Sequence, residues 1–284
     1  MDLKEVLSRL DLKKFPCHFL DVRIERTQSS HFNYKNGELI GAGDRPVLGA
    51  FIRLYQNGFW YYSSTTAVTS LEAEINKLIE TSLKSRGDKN LYKVPLNNGN
   101  HHLITKVEKS FSRIPLIEKI KLGESYLPLL NKIQNLQDSS LRYTDIYKEK
   151  YYKSSVGTEF SYDFNQAGFS FGVTLKLGDD LFEDSFKKYV SVFENFSNMD
   201  NEILEYFEES QKFLKAESVV PGKYKVVMSP EITGVFTHES FGHKSEADFM
   251  MGDPEATNEW KLGSAIGSTC LSIVDYGGHD HTSG

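Results

Sequence analysis

Two of the three asparagine–glycine pairs in this 284-residue chain constrain its fold more than any other feature. Asn36-Gly37 and Asn57-Gly58 each lie between segments of strand-like composition. Asn-Gly favours the two-residue turn that joins antiparallel strands, because both central positions of that turn need positive φ. We therefore predict a hairpin over residues 47–63 and a turn after the strand-like segment 19–34. The sequence Gly41-Ala42-Gly43 is interpreted as a loop.

Amphipathic helices and further strands account for the rest of residues 1–218, which we predict to be one domain. The spacing of apolar residues predicts helices near residues 3–10, 71–83, 115–136 and 201–214. Thr69 and Glu72 have the spacing of a capping box for the second helix. Strands rich in Tyr, Phe and Val are expected within residues 141–177, with a turn at Asn165-Gln166. The predicted fold class is α+β, with antiparallel sheets in this N-terminal domain.

Composition and charge exclude several classes of protein. Hydrophobic residues make up 39% of the chain and charged residues 25%, which is ordinary for a soluble globular protein. A net charge of −6 without a long basic block argues against direct nucleic-acid binding. No apolar run in the sequence reaches membrane-spanning length, and residues 1–7 are charged and amphipathic, unlike a signal peptide. Two cysteines fit a reducing compartment, so we expect a cytoplasmic protein without membrane contacts.

A Pro221-Gly222 turn marks the predicted boundary of a second domain, residues 219–284. Residues 223–228 have the composition of a strand, and a helix is expected directly after them. Ser229 suits the N-cap of that helix and Pro230 suits its first position. A further strand is expected over residues 268–274, where Cys270 would be a buried structural thiol.

The predicted helix carries His238, Glu239 and His243. Two histidines and a glutamate are the residue types that bind zinc and activate water in metallopeptidases. Here the histidines are five residues apart, whereas the common signature places them four apart. In a regular α-helix, residues five apart point about 140° apart, so their rings could not meet on one ion. The motif predicts either a π-bulge, which Gly242 would ease, or no metal site.

The segments around this motif point to a family. Val226-Val227-Met228-Ser229-Pro230-Glu231 precedes the histidine motif, and Glu246 and Asp248 follow it. A glycine-rich hairpin over residues 49–60 precedes the helix that contains Glu72. These features resemble the TldD/PmbA peptidases, a family also described as modulators of DNA gyrase, in which the five-residue histidine spacing is a hallmark. The resemblance covers almost the whole chain.

The resemblance implies a zinc-dependent peptidase that acts on unfolded or flexible peptides and forms a homodimer or a heterodimer with another family member. It implies a largely β C-terminal half. His238 and His243 correspond to the metal-binding histidines and Glu239 to the catalytic glutamate, which would act as the general base. Glu246 and Asp248 are either outer partners that orient the histidines or solvated charges beyond the helix.

One departure from the family pattern concerns the third zinc ligand. Family members are considerably longer, and their third ligand is a cysteine that lies beyond the last residue of this chain. We therefore expect a truncated chain with an incomplete second domain and an incomplete zinc site. The alternative to a peptidase is a catalytically silent chain that binds peptide or acts as a dimerisation partner.

Overall fold

The computed structural model describes residues 2–84, 107, 109–246, 248 and 253–274. Within it the chain divides into two compact units, the first reaching Ala216 and the second beginning at Glu217. The first contains long strands and four helices, and the second contains short helical segments.

In the part of the N-terminal unit that the structure describes, six strands form one antiparallel sheet in the order β3-β2-β1-β4-β5-β6. This arrangement confirms the α+β class, and the strands join in one continuous sheet. The strands are β1 (Phe19–Lys35), β2 (Glu38–Gln56), β3 (Phe59–Thr65), β4 (Leu136–Ser154), β5 (Glu159–Leu177) and β6 (Asp180–Val190).

Both Asn-Gly turns form as predicted. Asn36 and Gly37 have φ values of 49° and 82° and connect β1 to β2. Asn57 and Gly58 have φ values of 52° and 84° and connect β2 to β3. Positive φ at both central residues matches the twist of the flanking strands, so these short sequences fix the register of the first three strands.

Among the described residues, four α-helices cover one face of this sheet, and all four predicted helices are present. The third is shorter than predicted, because Pro128 follows directly and the chain tightens into a 3₁₀ turn over Leu127–Lys132. The helices are α1 (Leu3–Ser8), α2 (Leu71–Ser82), α3 (Leu116–Tyr126) and α4 (Asp200–Phe213), with further 3₁₀ turns at Leu12–Lys14, Phe111–Arg113 and Phe193–Phe196.

Two apolar clusters form the core of the N-terminal unit. One joins Leu20, Val22 and Ile24 of β1 to apolar residues of α1 and α2. The other joins Phe32 of the same strand to apolar residues of β4, β5 and α4, including Phe171. The contributing residues of β1 are separated by even numbers of positions, and side chains along a strand alternate between faces. Both clusters therefore lie on the same face of the sheet.

Three local predictions in the N-terminal unit are wrong, each because tertiary context overrides a local signal. Gly41 to Gly43 lie inside β2, paired with β1. Asn165 lies inside β5, where its buried side chain accepts from the Phe111 amide and donates to the carbonyls of Lys109 and Ser191. The capping box is absent, since α2 begins after Ser70, whose ψ of 27° is not the extended conformation that a capping side chain requires.

The second unit contains α5 (Pro230–Thr237), a π-helical turn (His238–Gly242), a 3₁₀ turn (His243–Ser245) and α6 (Pro254–Glu259). The strands expected over residues 223–228 and 268–274 are wrong, because both segments lack regular secondary structure. A strand needs a neighbour for its main-chain groups, and neither segment pairs with any described residue. Val227 is fully exposed, and Cys270 is exposed rather than buried.

Across the ranges that the structure describes, no helix is both long enough and apolar enough to cross a bilayer.

Candidate metal centre

The candidate centre lies at the C-terminal end of α5, and the start of that helix matches the sequence prediction. The Ser229 hydroxyl accepts a hydrogen bond from the Ile232 amide at 3.4 Å. Pro230 occupies the first helical position and Glu231 lies in the first turn. These residues favour a helix that begins at a defined point, and this sets the direction in which the following histidines project.

The backbone then changes from α-helix to π-helix over His238–Gly242, which confirms the predicted bulge. The amide of His243 donates to the carbonyl of His238, five residues earlier. This pattern adds one residue to a turn, so that residues five apart lie on the same side of the helix. The bulge does not depend on glycine, because Gly242 has an ordinary helical φ of −57°.

The π turn brings the two histidine rings together. Their centroids are 4.5 Å apart and their planes are inclined at 68°. One ligand atom from each of His238, Glu239 and His243 lies within 4.8 Å of the others. Two nitrogens bound to one tetrahedral zinc at about 2.0–2.1 Å lie about 3.3 Å apart, a separation within the 4.8 Å limit that the three ligand atoms satisfy. This nitrogen and oxygen donor set fits zinc.

Glu246 contacts the second histidine on the other side of its ring. Its Oε1 lies 2.6 Å from Nδ1 of His243, while Nε2 of His243 lies 3.7 Å from Oε2 of Glu239. A carboxylate on one ring nitrogen is the usual way in which proteins orient a metal-binding histidine through its other nitrogen. Asp248 is exposed two residues further on, and its role as an outer partner remains a prediction.

The three side chains that could bind a metal are open to solvent in this unit. The side chain of Glu239 is 64% exposed and that of His243 is 46% exposed. A solvated carboxylate is available as a proton acceptor, and two solvated imidazoles are available as ligands. The described residues of this unit place no buried side chain around them.

Trp260 contacts the two helical turns that carry the site residues, although the sequence analysis did not identify it. Its Nε1 donates to the Ser245 hydroxyl at 3.0 Å, and its ring lies 5.5 Å from the ring of Phe241. The Ser245 hydroxyl in turn donates to the Phe241 carbonyl at 2.8 Å. No local pattern predicts a contact across fifteen residues. A tryptophan in a polar segment was the one signal that could have drawn attention to it.

Comparisons with known proteins agree with this site. A model of the PmbA/TldA metallopeptidase domain 1 matches residues 20–86, and a model of the PmbA/TldA metallopeptidase C-terminal domain matches residues 221–284. The second match contains the histidine motif and the π turn. Both models describe parts of the same family, in the order in which the two units occur in this chain.

Curated relatives extend the similarity between these two matches. A metalloprotease of Methanocaldococcus jannaschii is 26% identical over 267 residues, covering 90% of this chain and 58% of the relative. A zinc metalloprotease TldD homolog of Saccharolobus solfataricus is 27% identical over 281 residues, covering 93% of this chain and 57% of the relative. The chain thus spans somewhat more than half the length of these relatives.

Solved structures share the fold. TldE from Thermococcus kodakarensis superposes with a TM-score of 0.55 at 14% identity, covering 78% of this chain and 49% of that one. A candidate modulator of DNA gyrase from Thermotoga maritima gives a TM-score of 0.59 at 15% identity, covering 78% and 50%. The two family models and the curated relatives support the assignment of this chain to the TldD/PmbA family, and the solved structures show that the fold is shared.

Proposed function

We propose that this chain carries the zinc-binding histidines and the general base of a peptidase that cleaves unfolded or flexible peptides. The observation that carries the proposal is the π turn, which places His238 and His243 with ring centroids 4.5 Å apart despite their five-residue spacing. The relatives named metalloproteases, one of them a zinc metalloprotease, support the same assignment.

In this proposal His238 and His243 would hold one zinc ion, with Glu246 orienting His243 through Nδ1. Zinc, when bound, polarises a water molecule and lowers its pKa toward about 7. Glu239 lies beside the histidines, with Oε2 3.7 Å from Nε2 of His243. Its carboxylate accepts a proton as the water attacks the peptide carbonyl and then delivers that proton to the leaving amine.

A catalytic zinc site has three protein ligands and one open position. With Glu239 assigned to proton transfer, the described residues supply two ligands, the imidazoles of His238 and His243. The family resemblance implies a cysteine as the third ligand. We therefore propose that zinc binds the two imidazoles of the described residues more weakly than it would bind a site with three protein ligands.

We also propose a substrate class, a cellular location and an oligomeric state for this chain. An extended peptide is the substrate class, because relatives of this chain are named proteases. We propose that the chain works in the cytoplasm as a homodimer or a heterodimer with a family member, without contacting nucleic acid or membrane. The net charge of −6 is consistent with this environment.

The proposal is tested by replacing the general base while keeping the ligands. Glu239→Gln should retain the zinc content of the unmodified chain and lower cleavage of a flexible peptide by about 10²–10⁴-fold. Glu231→Gln is the matched control, since Glu231 is an exposed glutamate in the first turn of the same helix, and it should cleave normally. Unchanged cleavage by Glu239→Gln would refute the assigned role.

A second candidate function is a catalytically silent chain that binds peptide or acts as a dimerisation partner. It is favoured by the presence of only two imidazoles in the one His/Cys/Asp/Glu cluster found among the described residues. Metal analysis separates the candidates. A chain that contains no zinc and cleaves no peptide, yet binds peptide or a second chain, would favour the silent role over the peptidase.

A further inference from the structure

We propose that Trp260 is a positioning residue that holds the π turn in the register required by His238 and His243. The importance of this role for metal binding rests on the proposed function. The effect of Trp260 on the backbone of residues 238–245 does not. Trp260 contacts neither histidine, so it would act through the turn between them.

The contacts of Trp260 reach the π turn at two points. The indole ring packs at a tilt of 42° against Phe241, which lies within the π turn. The indole N–H donates to the Ser245 hydroxyl, which donates to the carbonyl of Phe241. The ring contact and the hydrogen-bond chain therefore both end at Phe241, two residues before His243. Together they hold the side chain and the carbonyl of Phe241 in place.

A π turn needs such support because it is less stable than the regular helix that could replace it. π-helical segments are rare and are normally single turns inserted into α-helices. Within this segment the other side-chain supports are local, such as the Ser240 hydroxyl, which donates to the Phe236 carbonyl at 2.6 Å. Hydroxyl bonds four residues back bend a helix but do not tie it to another element.

The consequence of losing this support follows from helix geometry. If residues 238–243 returned to α-helical spacing, His238 and His243 would point about 140° apart and could not share one ion. The contacts of Trp260 with Phe241 and Ser245 would therefore raise the affinity for the metal, although Trp260 is not a ligand. Outer partners of metal ligands typically change metal affinity by about 10–100-fold, and we expect an effect in this range.

The experiment uses the full chain and two variants, each of which removes a different atom of the hydrogen-bond chain from Trp260 to Phe241. Trp260→Phe keeps a ring against Phe241 but removes the N–H donor, and Ser245→Ala removes the hydroxyl between Trp260 and Phe241. Tyr224→Phe is the control, because it removes a hydrogen bond of 2.6 Å to the Val220 carbonyl in the same unit. Each protein is studied by NMR, for the cross-relaxation between the ring protons of His238 and His243, and by zinc titration.

We expect Trp260→Phe and Ser245→Ala to lose the cross-peak between the two histidine rings and to bind zinc about 10–100-fold more weakly, while Tyr224→Phe retains both. A cross-peak and a zinc affinity that stay within twofold of the unmodified chain in both variants would overturn the proposal. If the unmodified chain binds no zinc, the proposed function fails, and the NMR comparison still decides whether Trp260 holds the turn.

Discussion

The N-terminal unit buries a charged pair, whereas the unit from Glu217 exposes the charged and ionisable groups of the candidate metal centre. Lys119 and Asp145 are each 1% exposed, with Nζ and Oδ2 2.7 Å apart. Lys119 also donates to the Ser30 hydroxyl, and Asp145 accepts from the Ser30 amide and the Tyr143 hydroxyl. At the candidate metal centre, the side chain of Glu239 is 64% exposed and that of His243 is 46% exposed.

This difference shows that the two units fix the positions of their charged and ionisable side chains in different ways. Strands β1 and β4 and helix α3 supply the partners of the buried pair, so its geometry depends on the whole N-terminal fold. The geometry of the candidate metal centre comes from the local π turn and from contacts within about twenty residues. Substitutions should therefore change stability most in the first unit and metal binding most in the second.

The largest effect on stability is expected from removing the buried cation. Lys119→Met leaves the Asp145 carboxylate buried without its counter-charge, which typically costs about 3–5 kcal/mol. Urea denaturation monitored by circular dichroism measures this loss. Lys212→Met is the control, because its pair with Glu209 is 69% exposed on both sides, and such pairs contribute about 0–1 kcal/mol. Equal stability of the two variants would remove the contrast between the units.

Two glycine substitutions compare packing in the units directly. A Cβ at Gly123 would lie 2.6 Å from Cε2 of the buried Phe32, whereas a Cβ at Gly242 would lie 3.7 Å from its nearest neighbour, Nδ1 of His238. Gly123→Ala should cost about 1–3 kcal/mol through overpacking. Gly242→Ala should change stability by less than about 1 kcal/mol. Thermal unfolding of the two variants measures both losses of stability. A larger loss for Gly242→Ala than for Gly123→Ala would contradict this prediction.

A smaller effect is expected from alkaline pH, and it should come from the N-terminal unit. Burial raises the pKa of Tyr143 well above its ordinary value, and the nearby Asp145 carboxylate adds to the shift. Below about pH 10 the phenol is protonated in both folded and unfolded chains, so its contribution to stability is fully present. Above about pH 10 the unfolded chain loses this proton first, and the free energy of unfolding falls.

The slope of this decline is at most about 1.4 kcal/mol per pH unit for one group. Burial also raises the pKa values of Tyr147 and Tyr152, so the slope for the whole unit should be steeper. Denaturant titrations between pH 9 and pH 11 measure the decline at about pH 10 and above. Tyr143→Phe should reduce the slope by the contribution of one titrating group, at most about 1.4 kcal/mol per pH unit. An unchanged slope would show that the Tyr143 phenol does not contribute to the pH dependence of stability.

The features that could be predicted from sequence are those set by neighbouring residues. Asn-Gly turns, the Ser229-Pro230 helix start and the π turn implied by the histidine spacing all follow from local conformational preferences. Each is present in the structure. The resemblance carried by the histidine motif and its flanks agrees with the family model that matches residues 221–284.

The features that could not be predicted depend on partners distant in sequence. Asn165 has a turn-forming side chain, yet it lies within β5 because three main-chain groups from other segments surround its amide. Residues 223–228 have a strand composition but form no strand, because no described segment pairs with them. Trp260 reaches the metal centre only through folding of the intervening chain.

The central claim is that the π turn brings His238 and His243 onto one metal ion. X-ray absorption spectroscopy of the zinc-loaded full chain measures it most directly. We predict two imidazole nitrogens at about 2.0–2.1 Å, one in His243→Ala, and still two in the control His31→Ala, whose exposed histidine lies in β1. A zinc spectrum without two imidazoles, or one that His243→Ala leaves unchanged, would contradict the claim.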